Sequence, residues 1–230
     1  MTNVVSTVRL HEMLRKLDFL ECYLHVTTPE VYGSTEGWVK EDHGFDPSTP
    51  YAVSRAAADM SLKTYRTQYD FPVVATRAAN VYGPGQQLYR IIPRTILFGL
   101  TGQTLQLHGG GVSTRSFIHM RDVCDATYRV AMRGRVGHTY HISTNELVSI
   151  KDLVTRIFER LGVDPQEQIE VVGERPGKDT SYKLDSTKIR EELGWRDTIS
   201  LDAGIEDTIR WAEAFRDTLT SVNPNYIHKP

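Results

Sequence analysis

Residues 71–80, FPVVATRAAN, form an apolar run with almost no alternation of polar and apolar side chains. A strand that shows water one face alternates with period two, so this run reads as a strand covered on both faces, as in a parallel sheet. Parallel neighbours cannot be joined by a tight turn; they need a crossover, usually helical. Helical patterns flank the run on both sides. Upstream, STPYAVSRAAADMSLKTYRTQY opens with Ser and Thr at an N-cap and a proline in the first turn, then stays alanine-rich for about five turns. Downstream, RDVCDATYRVAMRG reads as a helix stopped by glycine, and HTYHIS as the next strand. FLECYLHV (19–26) is a further run of strand length, preceded by a helix in which Leu10, Met13, Leu14 and Leu17 recur at helical spacing. Strands alternating with helices specify an α/β fold built on a doubly wound parallel sheet.

The pattern changes toward the C-terminus. RIIPRTILFGL reads as a helix with an internal proline, and TLQLHGGG as a short strand running into a glycine corner. SIKDLVTRIFERLG, DSTKIREELGW and LDAGIEDTIRWAEAF are capped helices with little strand between them. The expected organisation is a sheet-bearing domain over residues 1–150 and a small helix-rich lobe over 151–230, with parts of 80–120 joining that lobe. Composition narrows the partners. The 27 basic and 29 acidic side chains leave a net charge of −2, which asks for neither nucleic acid nor an anionic membrane as a bulk partner. No apolar run reaches the ~18 residues of a spanning helix, and the N-terminus has no signal-peptide core. Two distant cysteines, Cys22 and Cys124, fit no metal or redox spacing and suit a reducing compartment such as the cytoplasm. The eight histidines show no metal spacing either.

Ligands of open α/β sheets bind outside the carboxyl ends of the strands, so the polar stretches after 19–26 and 71–80 are the site candidates. The first is HVTTPEVYG (25–33), in which Glu30 could act as acid or base and a threonine could hold a substrate oxygen. An ordinary loop carboxylate is equally compatible with the local sequence. Tyr51 and Arg55 lie four apart on one helix face, and a cation beside a phenol favours phenolate, the condition for a tyrosine base near neutral pH. With 11 tyrosines and 27 basic residues in 230, about one such pair is expected by chance, and one occurs. Asn80, at the end of the second strand, could donate to a ligand oxygen or cap a turn. Arg115, after the glycine corner, has the planar fork that suits a diphosphate, or is an ordinary solvent-facing arginine.

Taken in order, TTPEVYG, STPYAVSRAAAD, PVVATRAANVYGPGQ, IIPRTI, TRSFIHMRDV and RPGKDTSYKLDSTKIREELGW resemble the extended short-chain dehydrogenases/reductases that act on nucleotide sugars. The closing stretch looks particularly like the NAD-dependent nucleotide-sugar 4,6-dehydratases, with dTDP-glucose 4,6-dehydratases the nearest in look. The resemblance implies a Rossmann-type sheet, NAD as cofactor, a nucleotide-diphosphate sugar as substrate and a homodimer. It implies C4 oxidation, elimination or inversion through a 4-keto sugar, and hydride return. Nucleotide-sugar epimerases and decarboxylases, and a non-catalytic sugar-nucleotide-binding protein, are the other readings it leaves.

By this resemblance Tyr51 removes a hydroxyl proton and Arg55 stands where the family has lysine, the residue that holds the nicotinamide ribose. Ala78 joins them in the cofactor contacts. The family's Thr-Asp-Glu triplet falls on Thr28, Pro29 and Glu30: Thr28 binds a sugar oxygen, Glu30 takes the C5 proton, and Pro29 replaces the usual acid for water loss. Asn80, Arg115 and Arg175 match positions that hold the sugar diphosphate. The family's Gly-x-x-Gly-x-x-Gly turn, which seats the dinucleotide pyrophosphate on a helix N-terminus, does not occur in the 230 residues. The expectation is that this chain starts at the helix before the fourth strand of the family sheet. It would then leave strand 19–26 with an open apolar edge and bind NAD weakly or not at all by itself, which calorimetry would test.

Overall fold

The structure is a computed structural model that describes residues 2–173 and 183–225. The chain opens with a π-turn (Thr2–Ser6), α1 (Thr7–Leu14), β1 (Tyr23–Thr27), a 3-10 turn (Pro29–Tyr32) and β2 (Trp38–Val39). Then come α2 (Pro50–Tyr69), β3 (Val73–Ala78), β4 (Asn80–Tyr82), α3 (Ile91–Thr101), β5 (Leu105–His108), β6 (Thr114–Arg115) and β7 (Phe117–His119). The remainder is α4 (Met120–Arg133), β8 (Thr139–Ile142), β9 (Val148–Ser149), α5 (Ile150–Arg160), α6 (Pro165–Gln168), β10 (Ile169–Val172), β11 (Lys183–Leu184), α7 (Thr187–Leu193), α8 (Leu201–Ala214) and α9 (Arg216–Thr220).

Two compact units share this chain by interleaving. The first comprises residues 1–79, 121–145 and 179–197, and the second 80–120, 146–178 and 198–230. Unit 1 holds the parallel sheet, in the order β1-β3-β8 among the described residues, with Tyr23 beside Val73 and Ala75 beside Thr139. The fold is therefore α/β, as the sequence pattern requires. β1 is shorter than the apolar run implied. Residues 19–22 are irregular, and Phe19 is 77% exposed, so the front of that run connects α1 to the sheet and does not extend the strand. α2 forms where its signals place it. Thr49 caps it by accepting from the Ala52 amide at 3.1 Å, and Pro50 takes the first helical position, where a missing N–H costs nothing.

Unit 2 is built from α3, α5 and α8, whose Ile92, Ile96, Leu153, Ile157, Phe158 and Ile205 form its buried core. Each such side chain contributes about 1.5–3 kcal/mol over its exposed state. Pro93 does not break α3, because it falls in the first turn, where its N–H would have no partner anyway. Two-stranded pairs β4-β7, β5-β10 and β6-β9 complete the unit.

Candidate active site

In unit 1 the chain leaves β1 at Thr27 and turns at once. Thr28 stays extended (φ −131°, ψ 144°), as a residue before proline is biased to be, and its hydroxyl accepts the Glu30 amide at 3.3 Å. Pro29 occupies the first position of the 3-10 turn and is buried, so its place in the sequence has a local structural reason. Gly33 ends the turn at φ +64°, and a Cβ there would collide with the Asp46 carbonyl, so glycine is required twice over. The turn presents Thr28, buried, and Glu30, half-buried, at the C-terminal end of the strand.

α2 reaches the same strand end. Arg55 donates from Nη2 to the Val26 carbonyl, which fixes its guanidinium beside the last residues of β1. Tyr51, one turn earlier on the same face, is 48% exposed. Ala78 closes β3 with its side chain half-buried, paired in register with Ile142. Thr28, Glu30 and Arg55 therefore converge on the end of β1, with Tyr51 on the helix face that carries Arg55. A cavity of about 910 Å³ in the same unit is lined by His25, Asp59, Arg77 and His138 among others, and by none of Thr28, Glu30, Tyr51 or Arg55.

Unit 2 carries the second group. Asn80 heads β4 beside Phe117 and donates from Nδ2 to the Ser116 carbonyl at 3.2 Å. Arg115 precedes that serine, lies opposite Val148 of β9 and donates to the Thr114 carbonyl at 2.9 Å. These two candidates are thus joined through one short segment, 115–116. Arg175 lies outside the described residues.

Beneath the Thr28–Glu30 turn is a buried polar network that the motif reading missed. Asp59 accepts from Thr27 Oγ1 at 2.9 Å and from Arg77 Nη2 at 2.7 Å, and His25 Nε2 lies 3.4 Å from its other oxygen. Arg77 Nη1 donates to Tyr32 Oη, which lies 2.8 Å from His141 Nε2; His141 Nδ1 is 3.2 Å from the Asp185 carbonyl. Burial pushes the Tyr32 phenol up to about 12, against the pull of the Arg77 charge. Burial opposes ionisation of Asp59, but His25, the Arg77 cation and the Thr27 hydroxyl outweigh it and hold the carboxyl below its usual range. One signal for this network was in the sequence: Asp59 and Arg77 are charged residues inside apolar patterns, and such residues are buried only when paired.

The chain matches the family described as GDP-mannose 4,6 dehydratase over residues 1–208. It is 35% identical over 213 residues to a trifunctional UDP-glucose 4,6-dehydratase/3,5-epimerase/4-keto-reductase of Arabidopsis thaliana, covering 91% of this chain and 32% of that protein. The structure of dTDP-glucose 4,6-dehydratase from Streptomyces venezuelae, solved with NAD bound, superposes with a TM-score of 0.90 at 34% identity, covering 94% of this chain and 67% of that one. UDP-glucuronic acid 4-epimerase from Bacillus cereus, solved with UDP-glucuronic acid and NAD, gives a TM-score of 0.87 at 26% identity, covering 93% and 68%. With a family match across nine-tenths of its length and these folds, the chain belongs to the GDP-mannose 4,6 dehydratase family.

Proposed function

We propose that this chain carries catalytic residues of an NAD-dependent enzyme acting on a nucleotide-diphosphate sugar, which oxidises C4 and then eliminates water or inverts C4. One observation carries the reading. Thr28 and Glu30 leave β1 on a tight turn, and Arg55, one helical turn after Tyr51, is bonded to the Val26 carbonyl of that same strand. Kinship supports it, since proteins of similar fold are named as 4,6-dehydratases and 4-epimerases and hold NAD.

The residues present fit the nicotinamide end of NAD. Tyr51 is exposed at the start of α2, the Arg55 cation is anchored at the strand end, and Ala78 offers a small side chain at the end of β3. When bound, NAD would supply the acceptor for the C4 hydride and then its donor, to C6 after loss of water or to the opposite face of C4 in inversion. Tyr51 takes the proton of the C4 hydroxyl, with Arg55 placing positive charge on the same helix face. The Thr28 hydroxyl accepts the Glu30 amide and so has its own proton to donate to a sugar oxygen. When water is lost, Glu30 takes the C5 proton and delivers it to the departing C6 hydroxyl, so both parts of the water are accounted for. Asn80 and Arg115, together with Arg175, hold the diphosphate.

Pro29 favours inversion as a second reading. It is buried in the turn and carries no proton for a leaving hydroxyl, whereas inversion at C4 needs no acid at that position. We place the enzyme in the cytoplasm as a homodimer. The two unpaired cysteines suit a reducing compartment. Val53 and Met60 on α2, with Leu10 and Met13 on α1, are exposed apolar side chains for a helical interface.

The test is incubation of the protein, with any coding sequence that lies in frame upstream, with NAD and UDP-glucose, dTDP-glucose or UDP-glucuronic acid. A 4-keto-6-deoxy product supports the dehydratase and a C4 epimer supports inversion. No conversion of any of the three, with NAD binding verified, overturns both.

A further inference from the structure

The geometry points to Arg77, Asp59 and Tyr32 as a latch that positions the Thr28–Glu30 turn and the Tyr51 helix face together. The turn is tethered on both sides of Glu30. On one side, Thr27 Oγ1 donates to Asp59 Oδ2 at 2.9 Å. On the other, Tyr32 Oη accepts from Arg77 Nη1 and lies 2.8 Å from His141 Nε2. Arg77 closes the circuit, because its Nη2 donates to the same Asp59 oxygen that Thr27 uses. Its guanidinium also stacks 4.9 Å from the Tyr32 ring centroid and 5.0 Å from that of Phe45.

The helix is drawn into the same circuit. Tyr51, Arg55 and Asp59 are four apart in α2 and so lie along one face. Asp59 therefore ties that face to the end of β1 while Arg55 ties it through the Val26 carbonyl. With Arg77 and Asp59 side chains only 4% and 7% exposed, the pair has few alternative partners, and the planar fork fixes direction as well as distance. None of the three residues touches substrate in this scheme; they act through Glu30 and Tyr51.

The catalytic consequence rests on the reaction proposed above, whereas the latch itself has a readout that needs no activity. Tyr32→Phe removes one hydroxyl and keeps the ring, and Thr27→Val removes the other tether at nearly constant volume. Hydrogen–deuterium exchange is then measured at residues 28–33, including the Gly33 amide that donates to the Glu30 carbonyl at 3.1 Å. Both variants are expected to speed exchange at 28–33 by about tenfold or more, the release of roughly one net hydrogen bond, and to leave β3 and β8 unchanged. In an active preparation kcat falls and KM stays within about twofold, because substrate contacts persist while catalytic geometry loosens. Unchanged exchange at 28–33 in both variants overturns the latch. Exchange raised equally across the β1-β3-β8 sheet also overturns it, since that is general loss of stability. If exchange rises locally and no nucleotide sugar is converted even by the wild type, the latch stands and the proposed reaction falls.

Discussion

Arg77 and Asp59 meet at 2.7 Å although 18 positions separate them in the sequence, and both side chains are almost wholly buried. A charge in such a place is tolerable only while its partner is present. Asp59→Ala leaves the Arg77 cation uncompensated and is expected to cost about 3–5 kcal/mol in urea unfolding. The double variant Asp59→Leu/Arg77→Met should recover much of that loss, because two apolar side chains leave no buried charge. An Asp59→Ala protein within about 1 kcal/mol of wild type would show that the pair is solvated and structurally minor.

Acid should unfold the protein through two buried histidines. Burial, with His25 nearby, pulls His11 down to about 4, and burial with the Arg77 charge pulls His141 down to about 3. The folded protein keeps both neutral, whereas unfolded imidazoles take up protons below about 6.5. The contribution of these two histidines is therefore level above that pH. It then falls as pH drops from 6.5 to about 4 for His11 and on to about 3 for His141, by on the order of a few kcal/mol. Asp59, whose carboxyl is held low, adds to the loss as pH falls through its folded range. Neither ring nitrogen of His11 has a hydrogen-bond partner among the Tyr23, His25, Tyr65 and Phe71 rings around it. His11→Leu should therefore hold or raise stability at pH 7 and flatten the slope between pH 6 and 4. An unchanged slope would assign the acid loss to other groups.

The contrast between α2 and this network shows what the sequence could disclose. α2 was legible because its determinants are local: the Thr49 cap, Pro50 at the first position and an alanine-rich body. The strand pattern of 71–80 was legible for the same reason. The start of β1 was not, since Phe19–Cys22 has the composition of a strand but serves as a connector. Thr28, Glu30, Tyr51 and Arg55 could be named through ordered motifs. The latch beneath them joins residues 32, 45 and 109 positions apart, which only the parallel topology brings together.

Unit 2 has its own tight point. Gly204 in α8 lets the helix approach Tyr82: a Cβ there would collide with the Tyr82 hydroxyl and lie 2.7 Å from its ring carbon and 3.0 Å from His119. The Tyr82 hydroxyl meanwhile donates to the Leu201 carbonyl at 3.2 Å. Gly204→Ala should gain helix propensity yet destabilise by about 1–3 kcal/mol through overpacking. A rise in Tm would mean that the helix shifts at little cost.

Glu30 and Arg55 separate the two chemical readings. Glu30→Gln should lower dehydration by about 10²–10⁴-fold if it is the C5 base, while leaving C4 inversion far less affected. Arg55→Lys removes the forked donor that holds the Val26 carbonyl and keeps the charge, so activity should survive and cofactor affinity should change. Equal loss of both reactions in Glu30→Gln would place that carboxylate at C4 chemistry instead.

The most direct measurement of the proposed chemistry uses a nucleotide sugar deuterated at C4, with the product read by mass spectrometry for wild type and Tyr51→Phe. Removal and return of one hydride within a turnover predicts that the product keeps its deuterium, and that Tyr51→Phe loses about 10²-fold or more in rate. Deuterium lost to water, or a Tyr51→Phe protein as fast as wild type, would contradict C4 oxidation through Tyr51.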